Sequence, residues 1–150
     1  MTFGTSQERK IDYGQAIKFY QVLYKNCDQG KVEFRFLPSK RQNFFPLTKL
    51  ENLHALPVDQ NCYFAVATRE GGGKKEHIIQ IPALWADLDF KDLSQEEFDS
   101  RLKSFPLSPS IIVHSGGGYH CYWQLKEPLE KADISQVESY LKRLASYLGG

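Results

Sequence analysis

The chain has 150 residues, 41 % of them apolar and 25 % charged, and a formal net charge of +1. That length suffices for one domain with its own core and is short for two, while the near-neutral balance excludes nucleic-acid binding by bulk charge and requires a local patch instead. The 3 cysteines, Cys27, Cys62 and Cys121, form no C-x-x-C pair, which argues against a zinc knuckle or disulfide framework, and with no apolar leader and no bilayer-length run the expectation is a cytoplasmic, membrane-free protein with free thiols.

Residues 1–10 read as a polar, flexible lead-in to a domain over 11–150. Ala16, Ile17, Tyr20, Leu23 and Tyr24 recur at helical spacing, with Asp12 and Gln15 as a capping box. "KVEFRFLP" alternates apolar and polar residues and predicts a strand ended by Pro38; "SKRQNFFP" reads as loop. "LTKLENLHAL" predicts a short helix capped by Thr48. "NCYFAVATRE" predicts a second strand, "GGGKKE" a flexible basic loop and "IPALWADLDF" a third strand. Ser94 and Glu97 form a capping box, and Leu93 with Phe98 a hydrophobic staple, at the start of a helix through "LSQEEFDSRLKSF". "SIIVHS" and "YHCYWQL" predict strands around three glycines. The final helix carries a stripe of Val137, Tyr140, Leu141, Leu144 and Leu148, with Gly149 at its C-terminal cap. Strands interrupted by helices, with one tight hairpin, predict an α+β sheet covered by helices on one face.

Two stretches point to chemistry. In "ADLDF" the strand period puts Asp87 and Asp89 on one face and Leu88 and Phe90 on the other. Two like charges on one face favour a cation between them, and hard ions such as Mg²⁺ take carboxylate oxygens; a solvated edge-strand pair has the same pattern. In "SGGGYHCYW" glycines permit close backbone approach and can aim N–H groups at an anion beside His120; a plain hairpin turn has the same pattern. In the second of these strands His120, Tyr122 and Gln124 share one face, Tyr119, Cys121, Trp123 and Leu125 the other. With one helix between the motifs, their strands can neighbour each other in one sheet, an arrangement suited to metal-assisted phosphoryl or nucleotidyl transfer.

"ALWADLDFKD" followed by "SIIVHSGGGYHCYW" resembles motifs I and II of the archaeo-eukaryotic primase superfamily, in the branch of primase-polymerase domains from plasmid, phage and integrated-element replication proteins. "GKVEFRFLPSKRQNFF" and "CYFAVATREGGGKKE" are similar to the same branch, so the resemblance spans residues 17–150. It implies an RRM-like, mainly antiparallel sheet with packed helices and template-directed nucleotidyl transfer. It also implies Mg²⁺ or Mn²⁺ on Asp87 and Asp89, and nucleoside triphosphate on His120 and the turn Ser115, Gly116, Gly117 and Gly118. Its partners would be nucleoside triphosphates, single-stranded or primed DNA template, and a helicase domain in the same or a partner chain. The family's third acidic motif, often "LGGD", follows the last helix; this chain stops at "YLGG", and the resemblance implies either a fragment cut short of that ligand, the favoured expectation, or a variant with an incomplete site, in both cases with one metal position weakened.

Arg35, charged and inside a strand, meets a nucleotide phosphate, a template strand, or a carboxylate such as Glu33 or Asp87. Arg69, Lys74 and Lys75 around the second glycine run, and Lys40 with Arg41, are candidates for gripping nucleic-acid backbone, against the plainer reading of solvated loops. His54, His77 and His114 have no role visible in the sequence. Two rivals remain: a non-catalytic single-stranded nucleic-acid-binding module, which RRM-like sheets with exposed aromatics also serve, and a replication-initiator nickase using a helical tyrosine such as Tyr140, for which the required histidine pair is missing.

Overall fold

In the computed structural model, which describes residues 2–3, 13–55 and 61–150, backbone contacts group the chain into two units, Met1–Pro82 with Glu127–Lys131 and Ala83–Lys126 with Ala132–Gly150. The elements run β1 (Thr2–Phe3), α1 (Tyr13–Leu23), β2 (Lys31–Leu37), β3 (Gln42–Pro46), β4 (Asn61–Phe64), β5 (Gln80–Asp89), α2 (Gln95–Ser104), β6 (Ile111–His114), β7 (Gly118–Glu130) and α3 (Ile134–Leu148). The fold is α+β. The strands form two sheets, ordered β1-β4-β2-β3 and β5-β7-β6, where the sequence led us to expect one. Residues 4–10 of the expected lead-in, and Asp12 of the first capping box, lie outside the described residues, while Thr2 and Phe3 pair with Tyr63 and Cys62.

In the first unit, α1 lays Tyr20 on the four-stranded sheet, and Tyr20, Leu23 and, one residue past the helix, Tyr24 are buried. The ring of Tyr20 meets Phe34 and Phe64 edge-on at 5.3 and 5.1 Å, a geometry that aligns ring edge with ring face. The alternation of β2 sends Val32, Phe34 and Phe36 into this core, while Glu33 and Arg35 take the opposite face. "QNFFP", expected as loop, is β3: it pairs antiparallel with β2 from Lys31↔Pro46 to Arg35↔Gln42. Pro46 sits at its last residue, where a missing N–H disturbs the ladder least. The segment expected as a helix from Thr48, Leu47–Ala55, is 3-10 in type and interrupted by non-helical backbone at Lys49 (φ −122°) and Asn52 (φ −95°); Leu50 and Leu53 are buried.

In the second unit, one face of β5 and β7 supplies Ala86, Leu88, Tyr119, Cys121 and Trp123 to a core closed by Phe98 of α2 and Leu144 and Leu148 of α3. Ser94 Oγ accepts from the Glu97 N–H at 3.2 Å and caps α2, with Leu93 packed against the cluster that holds Phe98. Gly149 ends α3 at φ 82°, a left-handed cap that glycine adopts without side-chain strain. Tyr140 leaves the expected apolar stripe and is 36 % exposed. Among the described residues no helix is long and apolar enough to cross a membrane.

Burial pushes the thiols of Cys27, Cys62 and Cys121 up to about 12. At pH 8 a thiol with that value is thiolate in only about one molecule in 10⁴. Iodoacetamide is therefore expected to label the native chain slowly and the urea-unfolded chain fully. Rapid native labelling of Cys121, read by peptide mass spectrometry, would show that the second core is open.

Candidate functional site

The second unit assembles the two motifs. Asp87 and Asp89 are exposed at the end of β5, while Leu88 between them is buried, as strand alternation requires. Asp89 ends the strand: one carboxylate oxygen accepts from the Lys91 N–H at 2.9 Å, and its carbonyl accepts from Asp92 at 2.9 Å. This local turn orients one aspartate. The other lies by His120, whose Nδ1 is 3.7 Å from Asp87 Oδ1. Asp87 keeps 68 % of its side chain exposed, and His120 only 18 %.

That distance is an electrostatic approach and too long for a hydrogen bond. His120 Nδ1 is buried without a hydrogen-bond partner among the described residues. Burial lowers the imidazole pKa, and the Asp87 carboxylate opposes that shift. The neutral ring is thereby favoured with a nitrogen still unmatched, next to an open carboxylate. Tyr119, Cys121 and Trp123, on the other face of β7, are buried in the core. Tyr122 is buried too, so none of these aromatic residues forms a stacking surface.

The triple-glycine segment is the hairpin between β6 and β7. His114 pairs with Tyr119, Ser115 donates its N–H to the Gly118 carbonyl at 3.0 Å, and Gly117 accepts from the Phe90 N–H at 2.9 Å. The last bond ties the hairpin to the residue after Asp89. The three glycines are there for different reasons. Gly116 has φ +88°, a left-handed conformation that costs other residues roughly 1–2 kcal/mol. Gly118 has no room for a side chain, because a Cβ there would run into the Leu88 carbonyl oxygen. At Gly117 a Cβ would meet no atom within 4 Å. Among the described residues the N–H groups of Gly116 and Gly117 find no acceptor, and both residues are exposed with Ser115.

Two carboxylates at a strand end, beside free backbone N–H groups, suit a hard divalent ion that keeps several waters and shares its remaining positions with phosphate oxygens. Among the described residues no three His, Cys, Asp or Glu side chains gather as a metal-binding group. Asp87 and Asp89 would thus be a two-carboxylate foothold, short of a closed cage. Gly150 stands close by: a Cβ on it would lie 2.7 Å from the Asp87 carbonyl oxygen.

The other basic candidates belong to the first unit. Of the three partners open to Arg35 in the sequence, the structure gives Glu33: Arg35 Nε donates to Glu33 Oε2 at 3.1 Å. Arg69 Nε lies 3.9 Å from Glu33 Oε1, and the Arg69 Nη1 donates to the Ala67 carbonyl at 2.9 Å. Lys74 and Lys75 lie in the stretch expected to be flexible, yet that stretch is built. Arg35 Nη2 reaches the Gly73 carbonyl at 3.3 Å, and His77 Nδ1 accepts from the Lys74 N–H at 3.0 Å. His77, without a role in the sequence reading, therefore folds this strap. Lys40 and Arg41 lie exposed in the β2–β3 connection, where Lys40 has φ 64°. Sequence reasoning missed Gln42 and Gly73, since it had no strand at 42–46 to bring Gln42 opposite Arg35.

Comparison with protein-family models, with curated proteins and with solved structures finds no match.

The division among the glycines is testable. Gly118→Ala must move the Leu88 backbone and should lower stability by about 1–3 kcal/mol or more, as overpacking does. Gly117→Ala should leave the urea midpoint within experimental error. Equal midpoints for the two variants would show that Gly118 is not confined.

Proposed function

We propose that this chain is the metal- and nucleotide-binding core of a template-directed nucleotidyltransferase of the primase-polymerase kind, with an RRM-like sheet as its frame. The observation that carries the reading is the juxtaposition on adjacent strands of the exposed Asp87 carboxylate and the buried, unmatched Nδ1 of His120, 3.7 Å apart. The hairpin tied to Phe90 then sets two unused N–H groups beside the same strand end.

In this reading Asp87 and Asp89 hold Mg²⁺ or Mn²⁺. Bound there, the ion neutralises phosphate charge and lowers the pKa of the attacking hydroxyl. The chain's own groups do the rest. The N–H groups of Gly116 and Gly117, with the Ser115 hydroxyl, receive the triphosphate oxygens, as backbone nests do for anions. The open space over Gly117 is clearance for that ligand. His120, kept neutral by burial, directs a ring nitrogen to a phosphate oxygen, and Asp87 fixes the side of the strand on which it acts. A triphosphate held in this way presents its α-phosphorus to a primer or initiating hydroxyl, and the bond broken is the one to the pyrophosphate leaving group.

The test is ligand-linked stability. Mn²⁺ together with a nucleoside triphosphate should raise the melting temperature, by an increment equal to about 2.7 kcal/mol at a hundredfold excess over Kd. Asp87→Asn with Asp89→Asn should abolish the metal-dependent part, and Gly117→Ala should weaken it while leaving the ligand-free melting point unchanged. In a chain extended past Gly150, Asp87→Ala with Asp89→Ala should reduce nucleotide incorporation on primed and unprimed single-stranded template by at least about a hundredfold. Undiminished incorporation in that double variant would end the proposal.

A further inference from the structure

The first unit holds a charged group that the nucleotidyl-transfer reading leaves unused. Glu33 is 2 % exposed, on the face of β2 opposite the aromatic core. A carboxylate this deeply buried needs partners, and it has them on three sides. Arg35 Nε donates to it at 3.1 Å, Gln42 Nε2 donates at 2.7 Å, and Arg69 Nε stands at 3.9 Å. The backbone of the 70–77 strap closes over the carboxylate, since a Cβ on Gly73 would collide with Glu33 Oε2. Arg35 also reaches the Gly73 carbonyl. One buried anion thus holds the Arg35 guanidinium by a hydrogen bond, faces that of Arg69 electrostatically, and backs the strap that bears Lys74 and Lys75.

The surface fixed in this way has a definite chemistry. Register places Arg35 directly between Gln42 on β3 and Tyr63 on β4, and Glu33 opposite Phe44, so these residues share one sheet face. Phe44 and Tyr63 are half-buried, and the Arg35 side chain stays 54 % exposed in spite of its two contacts. Arg69 Nε is buried without a hydrogen-bond acceptor among the described residues. Cations next to partly exposed rings, at the margin of the strap that covers Glu33, match a strand of alternating phosphates and unpaired bases, whose π-faces a duplex would hide. The first unit as a whole carries 13 Lys and Arg against 10 Asp and Glu, which suits a polyanion.

We propose that Glu33 is a positioning residue for a single-stranded nucleic-acid surface on this sheet: its buried carboxylate holds Arg35, Arg69 and the strap where they meet the backbone, with Tyr63 and Phe44 meeting the bases. This deepens the nucleotidyl-transfer reading by placing its template contact. It needs neither metal nor nucleotide, so the two stand or fall by separate measurements.

The sign of one substitution separates positioning from plain charge. Glu33→Gln removes a negative charge, so a surface acting by net charge alone would bind a polyanion more tightly. Positioning predicts the reverse. Binding of a fluorescein-labelled, mixed-sequence single-stranded oligodeoxynucleotide is measured by anisotropy in EDTA across a salt series, well below the melting temperature. We expect wild-type binding that weakens with salt and exceeds binding to the matching duplex. Glu33→Gln is expected to weaken it at least about fivefold. Arg35→Lys, which keeps the charge and loses the planar fork, should weaken it similarly. Tyr63→Ala should lower affinity with the salt slope unchanged, whereas Arg35→Ala should also cut the slope by about 0.7, one phosphate contact on a single strand. If Glu33→Gln fails to fold, Gly73→Ala unseats the strap from the same carboxylate and should give the same loss. Tighter or unchanged binding in the folded variant, a preference for duplex, or no binding by the wild type would each overturn the assignment. Metal-dependent nucleotide binding by the second unit would be untouched by that result.

Discussion

Everything proposed for the second unit depends on one close approach. Gly118 lies against the Leu88 carbonyl so tightly that no side chain fits. A β6–β7 hairpin with any other residue there would have to stand off from β5. The approach lets Phe90 N–H reach the Gly117 carbonyl at 2.9 Å and carries His120, two residues along, to the side of Asp87. The opposite face of the same strands is fixed by burial: Leu88, Tyr119 and Cys121 enter one core with Phe98 and Leu148. Strand alternation then leaves Asp87, Asp89 and His120 no other face to occupy. The hydrophobic core decides which face the carboxylates take, and the glycine decides how near the histidine comes.

Two buried polar side chains, Glu33 and His120, are matched to different degrees. Glu33 is enclosed and well matched, with donors at 2.7 and 3.1 Å. Removing one member of such a set strands a buried charge, typically at a cost of about 3–5 kcal/mol, so the cluster is rigid. His120 Nδ1 is enclosed and unmatched. An unmatched buried nitrogen costs about 1–3 kcal/mol, and a ligand that supplied its partner would recover part of that. The first arrangement keeps a surface in shape. The second leaves a site in want of a partner.

The sequence made the period-two features legible, because alternation needs only the strand and the core. The Asp87–Asp89 face, the buried Leu88 and the core side of β7 all follow from it. The Ser94 cap and the Gly149 cap were legible because each is a local hydrogen-bonding need met within a turn. What escaped depends on partners distant in the chain. "QNFFP" has adjacent phenylalanines and a proline, and pairing with β2 makes it a strand. The glycine, lysine and glutamate run after Arg69 reads as slack, and only Glu33 and His77 show it to be a seated strap. The two glycine runs look alike in sequence, yet among the three at 116–118 only Gly118 is confined by the fold. The division of the strands between two sheets was likewise invisible, since each strand pattern fits either sheet.

The net charge of +1 conceals a division that bears on both proposals. The first unit has 13 basic residues against 10 acidic, a balance of +3, whereas the second has 6 against 8, a balance of −2. A near-neutral total was reason to discount nucleic acid only if charge were spread evenly. Partitioned in this way, the chain offers a polyanion its surplus cations on one unit and offers a divalent cation its surplus carboxylates on the other. Each surplus sits with the geometry that can use it: Arg35 and Arg69 are ordered by a buried anion, and Asp87 and Asp89 are exposed beside unused N–H groups. Salt should therefore act unequally. Single-strand binding is expected to follow the steep dependence of phosphate neutralisation, while an ion held directly by carboxylates at short range is screened far less than separated surface charges.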